Sequence, residues 1–195
     1  MGLEPGFGPF ITLSDVGVIM SRMVRDSQVS GLRERLWFGQ WMLRQLQAGT
    51  AKGSPRGELL ALRGAVIFHL YSAVVGLARQ ALKGQPELLS APKISLADIE
   101  MAATSAGVDS PELQLLSQAR SDRNDVMFWL EQEALGLFAA SGMARRPQAP
   151  AENSLAMAAE DPYAILAHGD LERLEQCCQR VQVLLQDATT LMEEW

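Results

Sequence analysis

Cysteine, histidine and tyrosine each occur only twice in this chain of 195 residues, and the scarcity excludes several classes of protein. The two cysteines, Cys177 and Cys178, are neighbours. A bridge between adjacent residues is strained and closes no loop, so no disulfide framework is expected and the composition fits a reducing compartment, the cytoplasm. Adjacent cysteines on a helix also point about 100° apart. With His168 nearby they have the wrong spacing for a metal, and no paired-histidine motif exists elsewhere. No metal and no cofactor is expected. There is no glycine-rich phosphate loop and no nucleophile elbow. Basic charge is short as well: 17 Lys and Arg stand against 23 Asp and Glu, a formal net charge of -6 and a pI of about 5.0. Nonspecific nucleic-acid binding needs a basic surface, so nucleic acid is not an expected partner. The longest apolar stretch, Val66 to Leu82, is interrupted by His69 and Arg79 and is short for a bilayer span. The opening "MGLEPGFGPF" has neither the basic region nor the apolar core of a signal peptide, and Gly6 stands where a myristoylation motif takes Ser or Thr. A soluble protein with no membrane partner is expected.

What the chain does have is helix pattern. Hydrophobic residues make up 48% and charged residues 21%, values of a globular protein long enough to bury a substantial core. Val16, Ile19, Met20 and Met23 recur at helical spacing. Leu32, Leu36, Trp37, Trp41, Leu43 and Leu46 do so again from about Ser30. A loop at "GTAKGSPRG" separates these from a long apolar helix over Pro55–Lys83, ended by "KGQP" with Gly84 as its expected cap. "SLAD" opens a short helix at Ser95, Ser110-Pro111 opens another, and Asp122 is the expected cap of a helix reaching Ala140. After the Pro-rich break "SGMARRPQAPAENS", Asp161-Pro162 is a good helix start. Leu171, Leu174, Cys178, Val181, Leu185, Ala188, Met192 and Trp195 then recur at alternating steps of three and four, a heptad seam. No strand period and no internal repeat appears. The expected fold is an all-α, single-domain bundle of six or seven mostly antiparallel helices. It divides into a flexible N-terminus (1–11), the bundle (12–141), a linker (142–160) and an amphipathic C-terminal helix (161–195). That last helix packs on the bundle or on a second copy, with the bundle favoured.

The most chemical stretch is "RGAVIFHLY", Arg63 to Tyr71. On a helix Arg63 and His69 point about 120° apart and differ by about 9 Å in height. Arg63 points into the broad side made by Leu59, Val66, Leu70, Val74 and Leu77. His69 falls on the other side with Ala61, Ala65, Ser72 and Gly76. The simplest reading is structural. Arg63 lays its stem on apolar surface and sends its head to water. His69 stays neutral at a close helix crossing, hydrogen-bonded to a carbonyl, a Tyr or a carboxylate. Trp37, Phe38 and Trp41, within about one helical turn, are read most simply as core anchors and alternatively as a partner surface.

The Arg-x5-His spacing resembles the signature of the HEPN superfamily of helical RNA-cleaving and nucleotide-binding domains, although Gly64 stands where that pattern usually has a polar residue. The resemblance implies an arginine that stabilises phosphate charge and a histidine that transfers protons, so Arg63 and His69 are the candidate catalytic residues. More widely, "LWFGQWMLRQL", "ALRGAVIFHLYSAVVGLARQAL", "SPELQLLSQA", "WLEQEALGLF" and the terminal "EEW" occur in an order that resembles an uncharacterised proteobacterial all-helical domain-of-unknown-function family, with "FHLYSAVVGL" as the most specific part. That resemblance implies an α-helical fold and carries no activity. The leading expectation is a non-enzymatic interaction or scaffold module that binds an unknown protein partner or itself. Its candidate surface is Trp37, Trp41, Val181, Leu185, Met192 and Trp195. A HEPN-like nuclease using Arg63 and His69 is the second expectation, and an apolar-ligand carrier the third.

Overall fold

In the computed structural model the described residues are 13–90, 93–139, 166 and 169–193, with side chains described from residue 30 to residue 191 within those ranges. The expected N-terminal segment 1–11, the linker 142–160, the helix start at Asp161-Pro162, His168, the Met192 side chain and Trp195 lie outside them. Among the described residues the chain is all-α, with six helices and no strand: α1 (Leu13–Lys52), α2 (Arg56–Ala81), α3 (Leu96–Ser105), α4 (Pro111–Ser121), α5 (Val126–Gly136) and α6 (Asp170–Glu193), plus a 3-10 turn at Pro86–Leu89.

α1 is one helix of 40 residues, where the sequence suggests two. The stretch from Asp26 to Gly31 contains no proline, and a single interior glycine costs only about 1 kcal/mol. Gly53, at φ 71°, ends α1 in the left-handed conformation that favours glycine. α2 then runs back along α1. Gly49 lies against Leu59, Gly39 against Leu70, and Gly76 against Leu32, an antiparallel hairpin held close by glycines at the crossing. Gly84 does not take the left-handed cap role expected of it. α2 ends at Leu82, whose N–H bonds the Arg79 carbonyl, with the Lys83 N–H on the carbonyl of Gln80.

α2 is apolar nearly all round because it touches each of the other five helices. It is long and apolar enough to cross a bilayer by length and composition, yet more than half of its most apolar window is buried inside the bundle. Its buried residues include Leu59, Val66, Ile67, Leu70, Val74 and Leu77.

The short helices start where hydroxyl and carboxylate caps place them. The Ser95 side chain accepts from the Asp98 N–H, and Ser110 from the Leu113 N–H with Pro111 as first helical residue. α5 is the exception. Its cap is Asp125, which accepts from the Met127 N–H, while Asp122 accepts from the Asn124 N–H and only shapes the preceding turn. Gly107, at φ 67°, closes α3 with the Val108 N–H on the Ala103 carbonyl.

α6 packs against α1, α2, α4 and α5 of its own chain. Leu174, Cys178, Val181, Leu185 and Ala188 are buried as the heptad pattern requires, and so are Cys177 and Leu184. The buried stripe is wider than a two-helix seam because four helices, not one, receive it.

Candidate functional site

Arg63 and His69 do not form a joint site within the chain. Arg63, in the second turn of α2, is buried, and its head does not reach water as the sequence reading expects. Its Nε donates to Asp170 Oδ2 at 2.9 Å and its Nη2 to Glu133 Oε2 at 2.7 Å. Its guanidinium lies 5.8 Å from the centre of the Trp129 ring, and the Arg173 guanidinium lies 5.9 Å from the same ring. Burial disfavours the Arg63 charge, but Asp170 and Glu133 outweigh burial and hold its pKa above the ordinary arginine value. The cluster ties α2 to α5 and to the first residue of α6. Gly169, at φ 77°, makes the turn that delivers Asp170 to it. A guanidinium enclosed by two carboxylates and an indole has no open face for a phosphate.

A second buried network joins the neighbouring helices. The Tyr71 hydroxyl donates to Glu131 Oε1 at 3.2 Å and accepts from the Leu96 N–H at 3.1 Å, fixing the start of α3 to α2. Arg120 stands between Glu100 at 3.1 Å and Glu131 at 3.5 Å. Burial raises the Glu100 pKa despite Arg120, and Glu131 adds to the rise. Asp125, besides capping α5, accepts from Arg180 Nε of α6 at 2.8 Å. All these groups hold helix to helix.

His69 faces the other way. It is only partly buried, and its ring lies between Phe38 of α1 (centroids 5.4 Å apart) and Phe68 of α2 (5.6 Å). The hydrogen bond expected of its ring is replaced by these ring contacts. Among the described residues no hydrogen bond reaches the imidazole, and Ser72 Oγ donates to the His69 backbone carbonyl instead. Burial, and then the charge of Arg35, lower the His69 pKa below its ordinary value, which keeps the ring neutral at pH 7. Trp37 continues the series, 5.4 Å from Phe38. The result is a strip of four rings, Trp37–Phe38–His69–Phe68, across the outer side of the α1–α2 hairpin, with Trp41 one turn further along α1.

Trp37 and Trp41 are therefore not core anchors. Trp37 is 52%, Trp41 40% and Phe68 51% exposed. Conversely, Val181 and Leu185 leave the candidate interaction surface, because both are buried against the rest of the chain. Phe68 is the member that sequence reasoning missed, while Phe38 was read with Trp37 and Trp41. The available signal was that α2 carries a phenylalanine on the wheel face otherwise made of Ala61, Ala65 and Ser72.

The remaining candidates are inert or open. Burial pushes the Cys177 thiol up to about 12 and Cys178 up to about 11, far from the thiolate that reactivity requires. Among the described residues no three His, Cys, Asp or Glu side chains gather as a metal site would need. A hollow of about 480 Å³ at Leu32, Arg35, Gly76, Arg79 and Lys83 and another of about 490 Å³ at Lys93, Ile94, Asp98 and Met101 are open to solvent and partly lined by charge. Neither is the enclosed apolar pocket that a carrier uses. Comparison of the chain with protein-family models, with curated proteins and with solved structures gives no match.

Proposed function

We propose that this protein is a non-enzymatic interaction module whose binding surface is the outer face of the α1–α2 hairpin. The observation that carries the reading is the exposed ring strip. An aromatic side chain buries about 150–250 Å² when covered. At the exposures of Trp37, Trp41 and Phe68, covering them removes on the order of 300 Å² of apolar surface from water, comparable to the largest apolar patch of a typical monomer, which is often functional. The patch also has the anatomy of an interface. No charged residue occurs between Arg35 and Arg44 on α1 or between Arg63 and Arg79 on α2, so an uncharged aromatic centre lies inside a charged rim. Trp is among the residues that most often dominate binding energy. The enclosure of Arg63 weighs against the nuclease reading, and neither the hollow at Leu32 and Lys83 nor that at Lys93 and Met101 lends support to the carrier reading.

The test is a triple variant, Trp37→Ser, Trp41→Ser and Phe68→Ser, compared with the native chain by circular dichroism, sedimentation and co-purification from cells. The reading expects an unchanged helical spectrum and loss of the partner or of self-association. A folded triple variant that keeps the same oligomeric state and the same co-purifying components overturns it.

A further inference from the structure

The outer face of α1 carries a second heptad seam, distinct from the one that packs the core. Glu34, Trp37, Trp41, Arg44 and Ala48 recur at steps of three, four, three and four, and all five are exposed. Such a row is the seam along which one helix packs on another. We propose that its occupant is the same helix of a second copy of this chain, packed antiparallel about a two-fold axis at the level of Gly39. The proposal rests on reading the outer face as the binding surface and adds the identity and register of the partner.

Charge and shape both select this arrangement. A two-fold axis perpendicular to α1 brings together positions equidistant from its centre. Trp37 and Trp41 are each two residues from Gly39, about 3 Å along the axis, and Glu34 and Arg44 are each five residues away, about 7.5 Å. Each Trp37 therefore meets the second copy's Trp41, and each Glu34 meets the second copy's Arg44. Symmetry repeats both contacts. A parallel pairing instead sets Glu34 on Glu34 and Arg44 on Arg44, which like-charge repulsion disfavours. Among the described residues neither Glu34 nor Arg44 makes a hydrogen bond or ion pair within its own chain, so both are available.

Charge reversal on the full-length chain tests the register. Sedimentation equilibrium over a concentration series gives the dimer dissociation constant of the native chain and of E34R, R44E and the double variant E34R/R44E. All these positions are exposed, and circular dichroism checks that each variant folds. Each single reversal is expected to weaken dimerisation by about tenfold or more, and the double variant to recover most of the loss. A dimer indifferent to the single reversals overturns the proposal, as does a double variant as weak as the singles. A native chain that stays monomeric also overturns it. In that last case, a different protein that binds the native chain and is lost from the W37S/W41S/F68S variant leaves the binding-face reading standing. No such loss removes both.

Discussion

Asp170→Asn isolates the charge that anchors α6, because the amide keeps the size and the acceptor oxygen of the carboxylate while removing the negative charge. Asp170 is 1% exposed and Arg63 5%, so solvent does little to screen the pair. Breaking a buried ion pair by removing one partner costs about 3–5 kcal/mol, most of it the penalty of the charge left behind. Here Glu133 remains 2.7 Å from Arg63 Nη2, so the cost of Asp170→Asn falls to about 2–3 kcal/mol. In a chain of this length that lowers Tm by about 5–10 °C. Arg63→Met costs more, about 3–5 kcal/mol, because it takes the same cation away from both Asp170 and Glu133. Combined with Asp170→Leu, the same Arg63→Met change replaces both members of the buried pair by apolar groups of similar volume, and only the partly exposed Glu133 loses its contact with Arg63. The double variant is then expected to be more stable than the summed costs of Arg63→Met alone and Asp170→Leu alone imply, by about 2 kcal/mol. Urea unfolding followed by Trp fluorescence and circular dichroism supplies the four free energies, and an unchanged denaturant slope shows that α6 stays docked. Additive costs, with a coupling below about 0.5 kcal/mol, would refute the claim that Arg63 and Asp170 act as one unit.

Gly39 and Gly31 lie on the same helix in opposite circumstances. A Cβ at Gly39 would meet Leu70 Cδ2 at 2.8 Å, whereas one at Gly31 meets nothing within 4 Å. Gly39→Ala is expected to destabilise by about 1–2 kcal/mol net and Gly31→Ala to stabilise by about 0.5–1 kcal/mol, both read by thermal and urea unfolding. Asp125→Ala removes both the α5 cap and the contact with Arg180, a loss of about 1.5–2 kcal/mol, while Asp122→Ala costs under about 0.5 kcal/mol; equal effects would return the cap to Asp122. Because the folded His69 pKa lies below its ordinary value, the unfolded chain binds more protons as pH falls past about 6.5. Stability is therefore full above that pH and declines as pH is lowered until folded His69 itself protonates. Urea curves at several pH values should show that slope, and His69→Gln should flatten it.

The helices were legible in the sequence because each signal is local. Ser110-Pro111 marks the start of α4 by chemistry confined to four residues, and the seam through Leu174, Cys178 and Val181 needs only helical geometry to be recognised. Two of the failures of local reading have local causes too. A weak glycine break at Gly31 did not outweigh continuous helix pattern, and two aspartates three residues apart competed for one cap. The site was less legible. An arginine on the apolar side of α2 announces that a carboxylate must be buried with it, but Glu133 is 70 residues away and Asp170 is 107, and nothing local distinguishes them from the other acids of the chain.

Periodicity and caps thus determined by themselves that this protein is a helical bundle with one central apolar helix. Only the tertiary structure decided which apolar residues meet water. Trp37 and Leu36 are adjacent and both hydrophobic, yet Leu36 is buried and Trp37 is exposed. The core of α1 is set by where α2 and α6 lie, and hydrophobicity along a helix does not say which face its neighbours will cover. The same placement enclosed Arg63 between two carboxylates and left the rings of Trp37, Phe38, His69 and Phe68 in a row on the outside. A single chain pattern therefore yielded a sealed interior arginine and an aromatic outer face.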